Sequence, residues 1–220
     1  MVSAMPLADE FLAELDARNA SALERIGVAC AKEPDAAVTV PALLLLALKN
    51  EIEATECAAA WIATTPEIDV KLALARQAGD EAKHFRLIQK RLAELGSDAS
   101  AFDPGPASPM LAYLLSLQST VERVAAGQFT REALAVVRNA EFVRFCEARG
   151  DEATASLYRD VIQPDERHHH ELGRSLLTKL ADTAEAQTAA RAASDQTLKL
   201  AEELQEIARM KRGISRAPGC

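Results

Sequence analysis

Two short stretches of this chain repeat one pattern of side chains suited to holding a metal: Asp80-Glu81-Ala82-Lys83-His84 and Asp165-Glu166-Arg167-His168-His169. Both read Asp-Glu-x-x-His. On a helix, residues i and i+3 share a face, so each stretch turns a carboxylate and an imidazole toward one point. Carboxylate oxygen and imidazole nitrogen are donors that iron, manganese and zinc accept. A single Glu-x-x-His is usually solvated helix surface. Two of them, each inside a long helical pattern, predict two helices that face a common metal centre.

A helical dimetal centre takes one further Glu from each of two other helices. Antiparallel neighbours meet at a loop, so ligands at one depth lie about equally far on either side of it. Gly150 marks the junction between the third and fourth bundle helices. Glu132 precedes it by about as much as Glu166 follows it, and shares a face with Phe129, Val136, Ala140 and Val143, a core stripe. Glu122 lies too far from the junction, and Glu141 lies too near and on another face. Glu132 is therefore selected. Pro66 marks the junction between the first two helices, and Glu51, Glu53 and Glu56 precede it. Depth favours Glu51 or Glu53. Face favours Glu53, beside Leu46, Asn50, Cys57 and Ala60, or Glu56, beside Leu45, Ile52, Ala59 and Ala63. Glu53 satisfies both criteria and is selected, with Glu56 second.

Other residues near the motifs carry weaker expectations. An Asp beside a ligating Glu can accept the second N–H of a metal-bound histidine on the facing helix; Asp80 and Asp165 suit that role about as well as that of solvated carboxylates. His168 and His170 lie off the Glu166/His169 face, one of them placed to bond a neighbouring helix. Lys83 and Arg167 face solvent or pair with Asp80 or Asp165. Trp61 and Tyr158 read as core fillers.

The elements that must position these residues are helices. Of the 220 residues, 49% are apolar and only 4% aromatic, with Gly and Pro at nine each and clustered. That is the profile of a helical bundle in one domain, residues 1–220. An amphipathic segment, Leu7 to Ile26, packs on the bundle from outside, and residues 33–40 link it to the core. The bundle core spans about 41–181. Its first helix runs from about Pro41 to Thr64. Its second follows Thr65 as N-cap and Pro66 at the first helical position, and ends at Leu95 before Gly96. Residues 97–108 include a Pro/Gly-rich run that excludes helix. Extended, they span about 40 Å, the length of a helix of about 25 residues, so they suffice to cross the bundle. The pattern from Pro109 to Ala148 is helical throughout but about 60 Å as one rod, so a break is expected near Gly127. The fourth helix runs from about Glu152, capped by Asp151, to Leu180, with a kink at Pro164. A further helix covers about 184–212, and Ser215 to Cys220 are expected to fray.

The net charge of −8 excludes a nucleic-acid backbone as the default ligand, since such binders need basic patches. The four cysteines form neither a Cys-x-x-Cys pair nor a disulfide framework, and Cys57 and Cys146 read as packed thiols. The longest apolar run, Ala42 to Leu48, is too short to span a bilayer. Asp9 and Glu10 stand where a secretory signal would be basic. A cytoplasmic protein without membrane association is expected.

The arrangement of Glu53, Glu81 and His84, Glu132, Glu166 and His169 on four helices resembles the ferritin-like di-iron carboxylate superfamily over roughly residues 41–181. Asp-Glu-Ala-Lys-His at 80–84 is similar to the motif of bacterial di-iron oxygenases. The segments Glu51-Ile-Glu-Ala-Thr-Glu56 and Gly150-Asp-Glu-Ala-Thr-Ala155 are similar to ferritin-like bacterial proteins and, less closely, to the hydroxylase that modifies a tRNA base. The rubredoxin-like Cys-x-x-Cys module of rubrerythrins is absent from the sequence. The resemblance implies an all-α, ferritin-like antiparallel four-helix bundle with extra N- and C-terminal helices. It implies two Fe ions, with Mn or Zn fitting the same ligands. Two histidines favour an O2-activating centre over a storage one. The expected function is hydroxylation or oxidation of a small organic substrate, with O2 as co-substrate and a reductase as electron donor; the alternative is a ferroxidase or iron-binding protein without an organic substrate. Bundles of this kind often form homodimers.

Overall fold

In a computed structural model, residues 8–31, 37–214 and 217–219 are described. Leu7, most of the segment linking the first helix to the bundle, and Cys220 lie outside them. Helix α1 spans Ala8–Ala31, α2 Val40–Thr64, α3 Ile68–Glu94 and α4 Pro109–Ser116. Next come α5, Thr120–Arg123, a π-helical stretch Val124–Arg131 and α6, Glu132–Glu147, in direct succession. After Gly150, α7 (Glu152–Leu157), a second π-helical stretch (Tyr158–Ile162) and α8 (Gln163–Leu180) again run on without interruption. Helix α9 covers Ala184–Arg212. No strand occurs among the described residues, and none of their helices is long and apolar enough to cross a membrane.

Local chemistry sets most boundaries. Thr39 caps α2, its side chain accepting from the Ala42 N–H, and Pro41 sits in the first turn, where its missing N–H costs nothing. Gly96 and Gly150 adopt φ of 77° and 72°, the left-handed turn that ends a helix. Asp151 caps α7 by accepting from the Thr154 N–H. Thr65, expected to cap the second helix, instead closes α2, and Glu67 precedes α3 without a side-chain cap.

The break expected near Gly127 falls earlier, at residues 117–119. Ser119 opens α5 with a capping box in which Glu122 answers the Ser119 backbone N–H. Gly127 serves another purpose: a Cβ there would come within 2.8 Å of the Trp61 ring, so its absence lets α2 lie close. At Pro164, where a kink is expected, a π-helical stretch runs just before the proline. In a regular helix the proline ring would strike the carbonyl four residues back, and widening the preceding turn accommodates it. Gly173 of α8 gives a second close approach, because a Cβ would lie 2.7 Å from the Gln128 backbone.

Four long rods form the bundle: α2, α3, the α5–α6 run and the α7–α8 run. Residue pairs define their directions. His169 meets Asp80 while His84 meets Asp165, so α3 and α8 are antiparallel. Gln163 bonds the Val136 carbonyl and His170 that of Phe129, so α8 also opposes the α5–α6 run. Loop 97–108 covers only part of the crossover between α3 and α5. It lies along α2, where Lys49 Nζ donates to the Pro104 and Pro106 carbonyls, and α4 completes the span. Helices α1, α4 and α9 pack outside.

The apolar core is two clusters. One gathers Leu43, Leu44, Leu48, Ile88, Phe142, Tyr158 and Ile162; the other gathers Cys57, Trp61, Leu74, Phe129, Leu134 and Leu177 with α1, α4 and α9. Along α2, α3 and α8 the chain passes from one cluster to the other through a short polar interval. On α2 it contains Glu51, on α3 Glu81 and His84, and on α8 Glu166 and His169. On α6, Glu132 stands at the same level.

Candidate metal centre

Those six residues converge. Glu51, Glu81, His84 and Glu166 present ligand atoms that all lie within 4.8 Å of one another, and so do Glu81, Glu132, Glu166 and His169. Glu81 and Glu166 belong to both groups. All six side chains are at most 2% exposed. Each also has one polar atom without a hydrogen-bond partner: Glu51 Oε1, Glu81 Oε1, His84 Nδ1, Glu132 Oε2, Glu166 Oε2 and His169 Nδ1. Buried polar atoms are nearly always paired, because leaving one unsatisfied costs about 1–3 kcal/mol. Six residues that form two overlapping donor groups, each keeping an orphaned polar atom, are the arrangement that fits a pair of cations. The donor set of four carboxylates and two imidazoles suits iron, manganese or zinc.

The imidazoles are aimed from behind. The His84 ring presents Nδ1 to the cluster, 3.4 Å from Glu81 and 3.5 Å from Glu51, while its Nε2 lies 3.0 Å from Asp165. His169 mirrors this, with Nδ1 within 3.7–3.9 Å of Glu81, Glu166 and Glu132, and Nε2 3.1 Å from Asp80. Each motif on one helix thus holds the histidine of the other. With the proton on Nε2, Nδ1 keeps a lone pair for a metal. Lys83 in turn binds Asp165 and Arg76 binds Asp80. Because a carboxylate behind a ligating histidine tunes its basicity and orientation, Asp80→Asn and Asp165→Asn are each expected to weaken metal binding about 10- to 100-fold. Competition against a chelator of known affinity measures it; unchanged affinity in both variants would show these aspartates to be spectators.

The electrostatics agree with a site made for cations. Burial, with the nearby Glu81 charge adding to it, pushes Glu51 up to about 8 despite His84 beside it. Burial and the charges of Glu81 and Glu132 hold Glu166 well above the usual carboxylate range. Burial opposes ionisation of Glu81 too, but the His84 and Glu51 side chains beside it bring it down to about 2. Burial would lower both histidines, yet the facing carboxylates raise His84 to about 12 and His169 to about 11. A cation bound here would displace the protons these groups hold.

Of the residues selected from sequence, Glu81, His84, Glu132, Glu166 and His169 come together. Glu53 does not. It is buried on a neighbouring face of α2, accepts from the Ser108 N–H at 2.8 Å and from the Ser108 hydroxyl at 2.5 Å, and lies 3.5 Å from Lys49. It anchors the start of α4. Glu51 takes its place in the cluster. Glu56 is exposed, Glu122 is a helix cap, and Glu141 is paired with Arg144. One contributor was not anticipated: Gln77, one turn before Glu81, donates Nε2–H to Glu132 Oε1 at 2.5 Å and fixes that carboxylate's rotation. His170 donates Nδ1–H to the Phe129 carbonyl, as expected for one of the two off-face histidines. Cys57 and Cys146 are buried thiols, burial raising each to about 12.

Compared with protein-family models, with curated proteins and with solved structures, the chain finds no match.

Proposed function

We propose that this chain is an O2-dependent dimetal oxidoreductase of the ferritin-like kind. It holds two iron ions, or manganese or zinc in their place, through Glu51, Glu81, His84, Glu132, Glu166 and His169. The observation that carries this reading is the sharing of Glu81 and Glu166 between two overlapping donor groups. Carboxylates shared in this way would let two cations be held side by side. The antiparallel pairing of the four rods, and the crossover between the second and third, support the ferritin-like assignment.

A bound iron pair supplies O2 activation for hydroxylation or oxidation of a small organic substrate. Hydroxylation in full takes up O2, two electrons from a separate reductase and two protons, and returns the hydroxylated substrate and water. The chain's own residues do the rest. Asp80 and Asp165 keep the imidazole protons on Nε2. Gln77 keeps Glu132 in one orientation, while Glu51 has no such brace. The apolar clusters above and below exclude water, which strengthens every charge interaction between them.

Metal analysis of the protein after anaerobic ferrous loading should find two ions per chain. Exposure to O2 with a chemical reductant and a panel of small organic compounds should then oxidise one of them. Iron oxidation with no organic product would replace this reading by that of a ferroxidase, and a protein that takes up no transition metal would remove both.

A further inference from the structure

Of Ser215 to Cys220, expected to fray, residues 217–219 are described and the others lie outside the described residues; those three are packed against the bundle. Pro218 and Gly219 are buried. Asn50 Nδ2 donates to the Pro218 carbonyl at 2.8 Å, and the Gly219 N–H donates to Asn139 Oδ1 at 2.8 Å, so the tail is bonded to both α2 and α6. Gly219 has φ +80°, and a Cβ on it would lie 3.3 Å from Asn50 and 3.6 Å from Glu51 Oε1. That oxygen is one of the orphaned atoms of the centre. The tail is therefore laid against Glu51, which, unlike Glu132 with Gln77, has no amide donor to hold it.

Beside the same tail, and lined in part by Ala217, is a cavity of about 150 Å³. Its walls include Met110, Leu204, Ala208, Ile214 and Ala217, with Asn50 and Ser108 as polar points and with Arg138 and Gln205 bonded to the Ala201 and Ile26 carbonyls. Asn50 thus lines the cavity, holds the tail and precedes Glu51. An apolar cavity of about this size accommodates a benzene ring. We propose that this cavity is the substrate chamber of the centre, shaped for a small uncharged organic molecule of about one aromatic ring, and that residues 217–219 are the partition between it and Glu51. This rests on the oxidoreductase reading above.

The probe is phenol, offered to the full chain loaded with zinc or with paramagnetic cobalt and followed by ligand-observed NMR. Saturable binding is expected, with phenol protons relaxing severalfold faster over cobalt than over zinc. Two half-buried wall positions are filled separately, by Ala208→Phe and by Leu204→Trp, so that one folding failure leaves a second test. Each folded variant should retain two metals and bind phenol at least tenfold more weakly. Asn50→Ala, which unties the tail, should speed chelator extraction of cobalt about tenfold. Phenol that binds equally well to the filled variants, or relaxes alike over both metals, overturns the chamber while the metal stoichiometry leaves the oxidoreductase reading standing. Unchanged extraction in Asn50→Ala overturns the partition. A chain that takes up no metal overturns both readings.

Discussion

Removing metal with a chelator is expected to lower the melting temperature at pH 7 by about 10 °C, and the gap between loaded and stripped protein should widen as the pH rises from 5 to 8. A ligand at about a thousand times its dissociation constant adds about 4 kcal/mol, and each kcal/mol moves the midpoint of a chain this size by about 2–4 °C. The pH dependence follows from the buried groups. Glu51, at about 8 when folded against an ordinary 4.5, holds a proton that the unfolded chain has lost. Its contribution is complete below 4.5 and disappears as the pH climbs through 8. Glu166, also raised, acts in the same direction. His84 and His169, at about 12 and 11 against 6.5, contribute fully below 6.5 and lose that contribution progressively as the pH rises from there through their folded values. Glu81, at about 2, is the opposite case: its contribution is present above 4.5 and lost toward pH 2. Between 4.5 and 8 the raised carboxylates dominate, and the stripped protein weakens. The loaded protein moves the other way, since metal must displace those protons and binds better as they become scarce. Calorimetry across this range, with the protons released on zinc addition followed in weak buffer, checks both halves. Coincident melting curves would show that metal plays no part in holding the bundle together.

Five of the six converging residues were legible because their signals were local or symmetric. Asp-Glu-x-x-His fixes a carboxylate and an imidazole to one helix face whatever the tertiary fold, and the cross-bracing of His84 by Asp165 and His169 by Asp80 follows once two such helices face each other. Glu132 yielded to its distance from Gly150 combined with a clear apolar stripe. On α2 the second criterion misled. That helix is apolar nearly all round at its start, with Leu43 and Leu44 both fully buried and Leu45 and Leu46 beside them, so no single stripe marks the inward face. Depth alone left Glu51 and Glu53 open. Glu53 is buried as well, but beneath loop 97–108 and α4, a contact between distant segments that helical periodicity does not encode. Gly127 misled for a similar reason: a glycine that breaks a helix and one that admits a tryptophan ring look alike in sequence, and the capping box of Ser119 and Glu122 that marks the real helix start went unread. The buried tail was also illegible, since its partners Asn50 and Asn139 lie far back in the chain.

Substitutions of the acidic residues should separate into three classes by the metal they retain. Glu81→Gln or Glu166→Gln removes a donor common to both groups, so stoichiometry should fall from two ions per chain to below one. Glu51→Gln or Glu132→Gln removes a donor from one group only and should leave about one ion tightly held. Glu53→Gln should keep both, because its carboxylate is engaged by Ser108 and faces neither group. The amide matches the carboxylate in size, so no cavity confounds the result. Within the second class the two positions are not equivalent. Gln77 holds Glu132 at 2.5 Å, whereas Glu51 keeps an oxygen without a partner beside the tail. The ion near Glu51 should therefore leave first under chelator in the unaltered protein, and Gln77→Ala should bring the two departure rates together. Equal loss of metal in Glu53→Gln and Glu51→Gln would mean that α2 presents its other face to the centre. Two full equivalents retained in Glu81→Gln would mean that the carboxylates do not bridge, and the proposal of a coupled pair of ions would fall with them.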